Sequence, residues 1–174
     1  TALLTATVSS IFVAKRIRED KGLESINVSE HILLCGWNRM VESLIDSLQS
    51  MNESRKLNIV LINNENEDTI SAIRNKYSDI KLRFIKGDFT RETILVKANL
   101  SMAKTAIVIP SDNLESGGHP DEKTIFATLT IKTMAPGVKV IAYLTERENL
   151  THIRRANVDE VIMSDDFGAY MVAS

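Results

Sequence analysis

From His31 onward, short runs of Val, Ile and Leu alternate with stretches in which the apolar residues fall at helical spacing. The runs at His31 to Cys35, Leu57 to Ile62, Leu82 to Ile85, Thr105 to Ile109, Val138 to Leu144 and Val158 to Met163 predict six strands. Between them, Val41, Leu44, Ile45 and Leu48 share one helical face, and Ile70 and Ile73 mark a second helix. A short helix ends over Leu95 to Leu100, another runs from Ile125 to Met134 until Pro136-Gly137 stops it, and a last one spans Arg147 to Ala156. Strands that are nearly continuous in apolar residues must be buried on both faces, so the alternation predicts a doubly wound, Rossmann-like parallel sheet covered by helices. No internal repeat or low-complexity tract interrupts it, and the one long loop is Ser111 to Glu122, with Gly117-Gly118 at its centre.

The amino-terminal segment follows a different pattern. Residues 1 to 14 carry no charge, and Lys15, Arg16, Arg18 and Lys21 follow at once. This apolar stretch is shorter than the roughly 20 residues that cross a bilayer, yet it suits the last turns of a spanning helix whose basic end meets the cytoplasmic headgroups. A signal peptide has the opposite order, charges first. A chain that begins with Thr1 and an apolar helix end is expected to be cut from a longer one.

Composition narrows the field. With 174 residues and 44% apolar content, the chain is large enough for one α/β domain with a full core. A net charge of −2, with basic residues scattered along the body, gives no field for nucleic acid, which is therefore not an expected partner. Cys35 is the single cysteine and falls in a predicted core strand, which excludes an internal disulfide and fits a reducing compartment.

In a sheet of this type ligands sit at the carboxyl ends of the strands, so the residues just after each strand are the candidates. They are Gly36, Trp37, Asn38 and Arg39 after the first strand, and Asn63, Asn64 and Glu65 after the second. Gly87 and Asp88 follow the third, and Ser111, Asp112 and Asn113 the fourth. Gly36 permits a tight turn, the N–H groups of the next helix favour an anion such as a pyrophosphate, and Arg39 can add a bidentate phosphate contact. The dinucleotide fingerprint G-x-G-x-x-G is nevertheless incomplete, because Asn38 and Val41 stand where its second and third glycines belong. Asn64 and Glu65 also lie well beyond the usual distance of about 20 residues for the ribose-binding acid. A long polar loop over residues 49 to 56 would account for the extra length. Trp37 is either a core plug or a lid over the crevice, and packing is the preferred reading.

Four segments in register carry a resemblance: Leu33-Leu-Cys-Gly-Trp-Asn38, Lys86-Gly-Asp-Phe-Thr-Arg91, Asn99 through Ile109, and Glu148 through Ile162. With the basic helix end upstream, the chain resembles the regulator of potassium conductance (RCK, TrkA-N-like) domain, related to the nucleotide-binding domains of potassium uptake systems. The resemblance implies that residues 1–18 end a pore-lining inner helix, 19–30 form a linker, 31–163 make the Rossmann-like lobe and 164–174 start a crossover helix. It further implies a ligand-gated potassium channel in the cell membrane, with this domain on the cytoplasmic side and potassium as the transported ion. The lobes would pair into a homo-oligomer, in a tetrameric channel or an octameric ring. The implied ligand is a nucleotide (NAD, ADP or ATP), with calcium as the alternative. Arg39 matches the arginine that nucleotide-binding members place beside phosphates, and Asp88 and Asn113 would then meet the base or ribose. In calcium-gated relatives acidic ligands stand at the positions of Tyr143 and Thr145, and only Asp88 matches a remaining one, so that metal site does not carry over.

Other constellations are weaker. Glu146, Glu148, Asp112 and Asp121 could together supply an oxygen-rich cation site. Tyr77 and Lys81 have the spacing of a dehydrogenase pair but flank a helix-to-strand turn, so Tyr77 reads as a helix-end packing residue. His31, His119 and His152 lack partners at metal spacing and read as solvated or capping. No Gly-x-Ser-x-Gly elbow is present, so there is no anchor for a hydrolase triad. An enzyme is not expected. The competing readings are a soluble gating subunit of a potassium transporter and a fragment of an NAD-dependent oxidoreductase.

Overall fold

In the computed structural model, which describes residues 1–52, 56–112 and 118–164, the six apolar runs become strands. They are β1 (His31–Cys35), β2 (Asn58–Asn63), β3 (Lys81–Lys86), β4 (Ala103–Val108), β5 (Lys139–Leu144) and β6 (Glu160–Met163). All pair in parallel, in the order β3-β2-β1-β4-β5-β6. The order reverses between β1 and β4, which is where a doubly wound sheet opens its crevice.

Side chains alternate across each strand, so one sheet feeds two cores. Leu34, Ile59, Leu61 and Ile107 pack with Val41, Leu44 and Ile45 of α2 (Val41–Met51) and with Ile70 and Ile73 of α3 (Glu67–Lys76). On the opposite face Leu33, Cys35, Val60, Ile62 and Val108 pack with Leu95 of α4 (Glu92–Lys97) and with Ala127 and Ile131 of α5 (Pro120–Met134). A third cluster seats Ile153 of α6 (Leu150–Arg155) on Ala142, Leu144 and Met163. The predicted fold class is therefore found, with helices on both faces.

Several local expectations change. The helix α2 runs through Met51, so the long polar loop expected over residues 49 to 56 is shorter than proposed; extra helix supplies part of the added length. The helix α5 starts at Pro120, before the expected Ile125, because Pro fits the first helical turn and its first-turn carboxylates suit the helix dipole. The last predicted helix divides into a 3₁₀ turn at Arg147–Asn149 and α6. His31 is neither solvated nor capping: it is fully buried, and its Nε2–H donates to the Ala98 carbonyl at 3.0 Å. Cys35 is fully buried, and burial pushes its thiol up to about 12. The reading of Tyr77 as a helix-end packing residue holds: it is the C-cap residue of α3, and its hydroxyl donates to Asp46 Oδ1 at 2.7 Å.

The amino-terminal segment forms α1 (Ala2–Asp20), which buries none of its residues. Leu3, Leu4, Ile11, Phe12 and Val13 are all exposed. Among the described residues no helix is long and apolar enough to cross a membrane. The end of α1 is tied down: Arg74 Nη1 lies 2.9 Å from Asp20 Oδ1, and the Lys86 N–H donates to Gly22 O at 2.9 Å. Gly22 has φ +72, and a Cβ there would lie 2.5 Å from Lys86 N, so the contact requires glycine. The following stretch lies against α4 through Ile26 N–H to Lys97 O (2.8 Å) and Asn99 Nδ2 to Val28 O (2.7 Å). Of the crossover helix expected over residues 164–174, all but Ser164 lies outside the described residues.

Candidate ligand crevice

Parallel strands end together, so the turns that follow β1, β2, β3 and β4 crowd along one edge of the sheet. The turn after β1 is the tightest. Gly36 has φ +103, and a Cβ on it would meet Ile109 O at 2.3 Å, so no other residue fits without backbone movement. The turn is then braced across the switch point. Asn38 Nδ2 donates to Pro110 O (2.8 Å), Asp112 N–H to Trp37 O (3.2 Å), and Trp37 N–H to Ser111 Oγ (3.3 Å). Asn38 Oδ1 also accepts the Met40 N–H at 2.9 Å, which occupies a donor at the start of α2 that an anion would otherwise use.

The ends of β2 and β3 form the facing wall. Asn63 is only 3% exposed; its Oδ1 accepts the Glu65 N–H at 2.9 Å, while its Nδ2 has no partner among the described residues. Gly87 N–H donates to Asn63 O at 3.0 Å, which locks the two turns together. Asp88 accepts from the Thr90 N–H (3.0 Å) and hydroxyl (2.8 Å), and its Oδ1 lies 3.3 Å from Lys123 Nζ of α5. Burial pushes the Asp88 carboxyl up, but the Thr90 hydrogen bonds and the Lys123 charge outweigh it and hold the group below its ordinary range.

Between these walls lies a crevice of about 790 Å³, the size of a small-ligand site. Of the residues named from sequence, Trp37, Asn63, Asn64, Glu65, Gly87, Asp88, Ser111 and Asp112 line it. Gly36, Asn38 and Arg39 do not: Gly36 is buried beneath the turn, Asn38 spends its amide on the bracing bonds, and Arg39 is exposed to solvent. Asn113 lies outside the described residues. Sequence reasoning missed Phe89, Thr90, Gly118, His119, Glu122, Lys123 and Phe126. Phe89 and Thr90 follow directly on Gly87 and Asp88, which were named, and Phe126 lies in the predicted helix, but His119, Glu122 and Lys123 reach the crevice because α5 begins earlier than its apolar pattern shows. Trp37 is both things the sequence offered: half-buried, it packs on the α2/α3 core while lining the crevice.

The alternative cation site does not assemble. Asp121 is fully buried, and its carboxylate is filled by Thr145 N–H and hydroxyl (both 2.9 Å), Glu146 N–H (2.9 Å) and Asn149 Nδ2 (2.8 Å). Among the described residues no group of three or more His, Cys, Asp or Glu side chains is placed to hold a metal ion.

Comparison with known proteins agrees with this architecture. The model of the TrkA-N domain matches residues 32–164. The calcium-gated potassium channel TvoK of Thermoplasma volcanium is 27% identical over 98% of this chain and 46% of its own length. Potassium channel protein 1 of Methanocaldococcus jannaschii is 23% identical over 99% of this chain and 49% of its own. The chain thus spans about half the length of these curated relatives. Among solved structures, GsuK bound to ADP superposes with a TM-score of 0.67 at 19% identity, covering 92% of this chain and 39% of that one. At that identity the likeness shows a shared fold.

Proposed function

Because this chain belongs to the TrkA-N domain family, we propose that it is the ligand-sensing domain of a potassium channel, in which a nucleotide held in the strand-end crevice biases the pore. The observation that carries this reading is the crevice itself: preformed and partly aromatic, lined by Trp37, Asn64, Glu65, Gly87, Asp88, Ser111 and Asp112, at the switch point of the sheet. A crevice of hydroxyl-binding carboxylates and flat apolar side chains suits a nucleoside, with Glu65 and Asp88 accepting from ribose hydroxyls and Trp37 against the base. The relatives named as potassium channels support the setting, and the solved structures titled as GsuK with ADP and with NAD support the ligand class.

In this reading the domain sits on the cytoplasmic side of the cell membrane. Copies pair into a homo-oligomeric ring, α1 continues the pore-lining helix, and potassium is the ion carried. A ligand shifts such a ring only by its differential affinity for the two states, and each tenfold preference is worth about 1.4 kcal/mol per site. Several equivalent sites on one ring make the response steep. The ends of β2 and β3 are joined to the end of α1 through Lys86 and Gly22, so a shift of that wall has a short route to the helix.

Calcium is the second reading, since TvoK is named as calcium-gated. It has little to work with here, because Tyr143 is buried, Thr145 is bonded to Asp121, and Asp88 is paired with Lys123. The test is calorimetric titration of the chain with NAD, ADP, ATP and calcium, repeated on Asp88→Ala. Nucleotide binding that weakens about tenfold in the variant is the expected result. Absence of nucleotide binding, with calcium binding lost in Asp88→Ala, would make the domain an ion sensor instead.

A further inference from the structure

Doubly wound sheets ordinarily receive phosphate at the start of the helix that follows β1, where glycines let the ligand approach the backbone N–H groups. In this chain that place is closed. Asn38 and Val41 replace two glycines, Asn38 Oδ1 already takes the Met40 N–H, and Arg39 is exposed outside the crevice.

The opposite wall offers what is missing. Lys123, in the second turn of α5, lines the crevice with its side chain 29% exposed. Its ammonium is held in place from two sides, 3.3 Å from Asp88 Oδ1 and 4.9 Å from the centre of the Phe89 ring. It is the only Lys or Arg among the described lining residues, whereas Asp88, Asp112 and Glu122 stand along the same lining. Those carboxylates repel an anion elsewhere in the crevice, which leaves the ammonium as the point where a phosphate is attracted. Gly118 and His119 bring the start of the 15-residue α5 to the same cavity, and His119 caps it without a side-chain hydrogen bond. Across from it, Asn63 lines the cavity with a buried amide nitrogen that has no partner among the described residues.

We infer that Lys123 is the phosphate-contacting residue of this crevice, so that a nucleotide lies with its phosphate toward α5 rather than toward the start of α2. The assignment rests on the nucleotide reading above. On binding, the Lys123 ammonium exchanges the Asp88 carboxylate for a phosphate oxygen, and Asp88 is released to accept a ribose hydroxyl. Contact with the ring of Phe89 limits how far the lysine stem moves in that exchange.

The experiment compares ADP with adenosine, which shares the base and ribose and lacks the phosphates. Affinities for both are measured on the chain and on Lys123→Gln, Lys123→Arg and Arg39→Gln, with thermal melts to confirm folding. Lys123→Gln should weaken ADP at least tenfold and change adenosine less than twofold, Lys123→Arg should keep most of the ADP affinity, and Arg39→Gln should change little. Equal losses for ADP and adenosine would reduce Lys123 to packing, and an ADP loss confined to Arg39→Gln would return the phosphate to α2; either overturns the assignment, as does an unchanged ADP affinity in Lys123→Gln. If the unaltered chain binds neither compound, the nucleotide reading fails first and this assignment with it.

Discussion

His31 opens β1 in a position where the sequence suggests a wetted strand end, yet the structure closes over it. Desolvation is the main reason its pKa falls below the usual value; the hydrogen bond to Ala98 O and the charge of Glu30 oppose this, and the charge of Arg83 adds to it. The native state thus resists a proton that the unfolded chain accepts near pH 6.5. Stability is then complete above that pH and declines as the pH falls below it, until the native imidazole protonates as well. Asp88 and Asp159, whose carboxyls are also held below their usual range, add losses of the same sign at more acid pH. Thermal unfolding followed from pH 8 to pH 5 should show a midpoint that drops below about pH 6.5. In His31→Asn the same interval should be nearly flat, whatever the absolute stability of the variant.

At the scale of elements, α5 is the one whose tertiary role departs most from its sequence pattern. Its first turn is polar and reads as loop, but the structure buries Asp121 and uses it to organise the turn after β5, where four donors converge on one carboxylate. Removing it strands the part-buried N–H groups of Thr145 and Glu146, and leaving buried donors unpaired costs about 1–3 kcal/mol each. Asp121→Ala should therefore lower unfolding stability by about 3 kcal/mol, read from urea denaturation. Asp121→Asn should fall between, because its amide keeps one acceptor oxygen but turns a second set of donors toward N–H groups. A loss below about 0.5 kcal/mol in Asp121→Ala would mean that the turn is held by other contacts. No spacing rule links Asp121 to Thr145, Glu146 and Asn149; only the closeness of β5 to α5 does.

On the scale of the whole molecule, the two-sided core and α1 are energetically separate. The sheet draws its burial from α2 to α6, while α1 contributes no buried residue and is bonded to the body near its end. Deleting residues 1–17, which keeps the Asp20 contact to Arg74 and the Gly22 contact to Lys86, should leave the thermal midpoint within a few degrees of the parent. It should also reduce self-association in light scattering, since Leu3, Leu4, Ile11 and Phe12 go with the deletion. A large drop in the midpoint would show that α1 stabilises the sheet through contacts beyond those seen.

Hydrophobic periodicity alone determined the six parallel strands, the helices between them and the edge at which to look for a ligand, because burial on one face or two leaves a direct imprint on residue order. It also placed Gly36 and Gly87 at turns and put Asn64, Glu65, Asp88 and Asp112 along the crevice. What it could not decide is which of those side chains turn inward. Asn38 is consumed by Pro110, Arg39 points to solvent, Asp121 is sealed into a turn, and Lys123 arrives from a helix whose start carries no apolar signal. The bonds of Asn38, Asp121 and Lys123 join partners more than twenty residues away, and contacts at that distance are set by how the sheet and its helices pack.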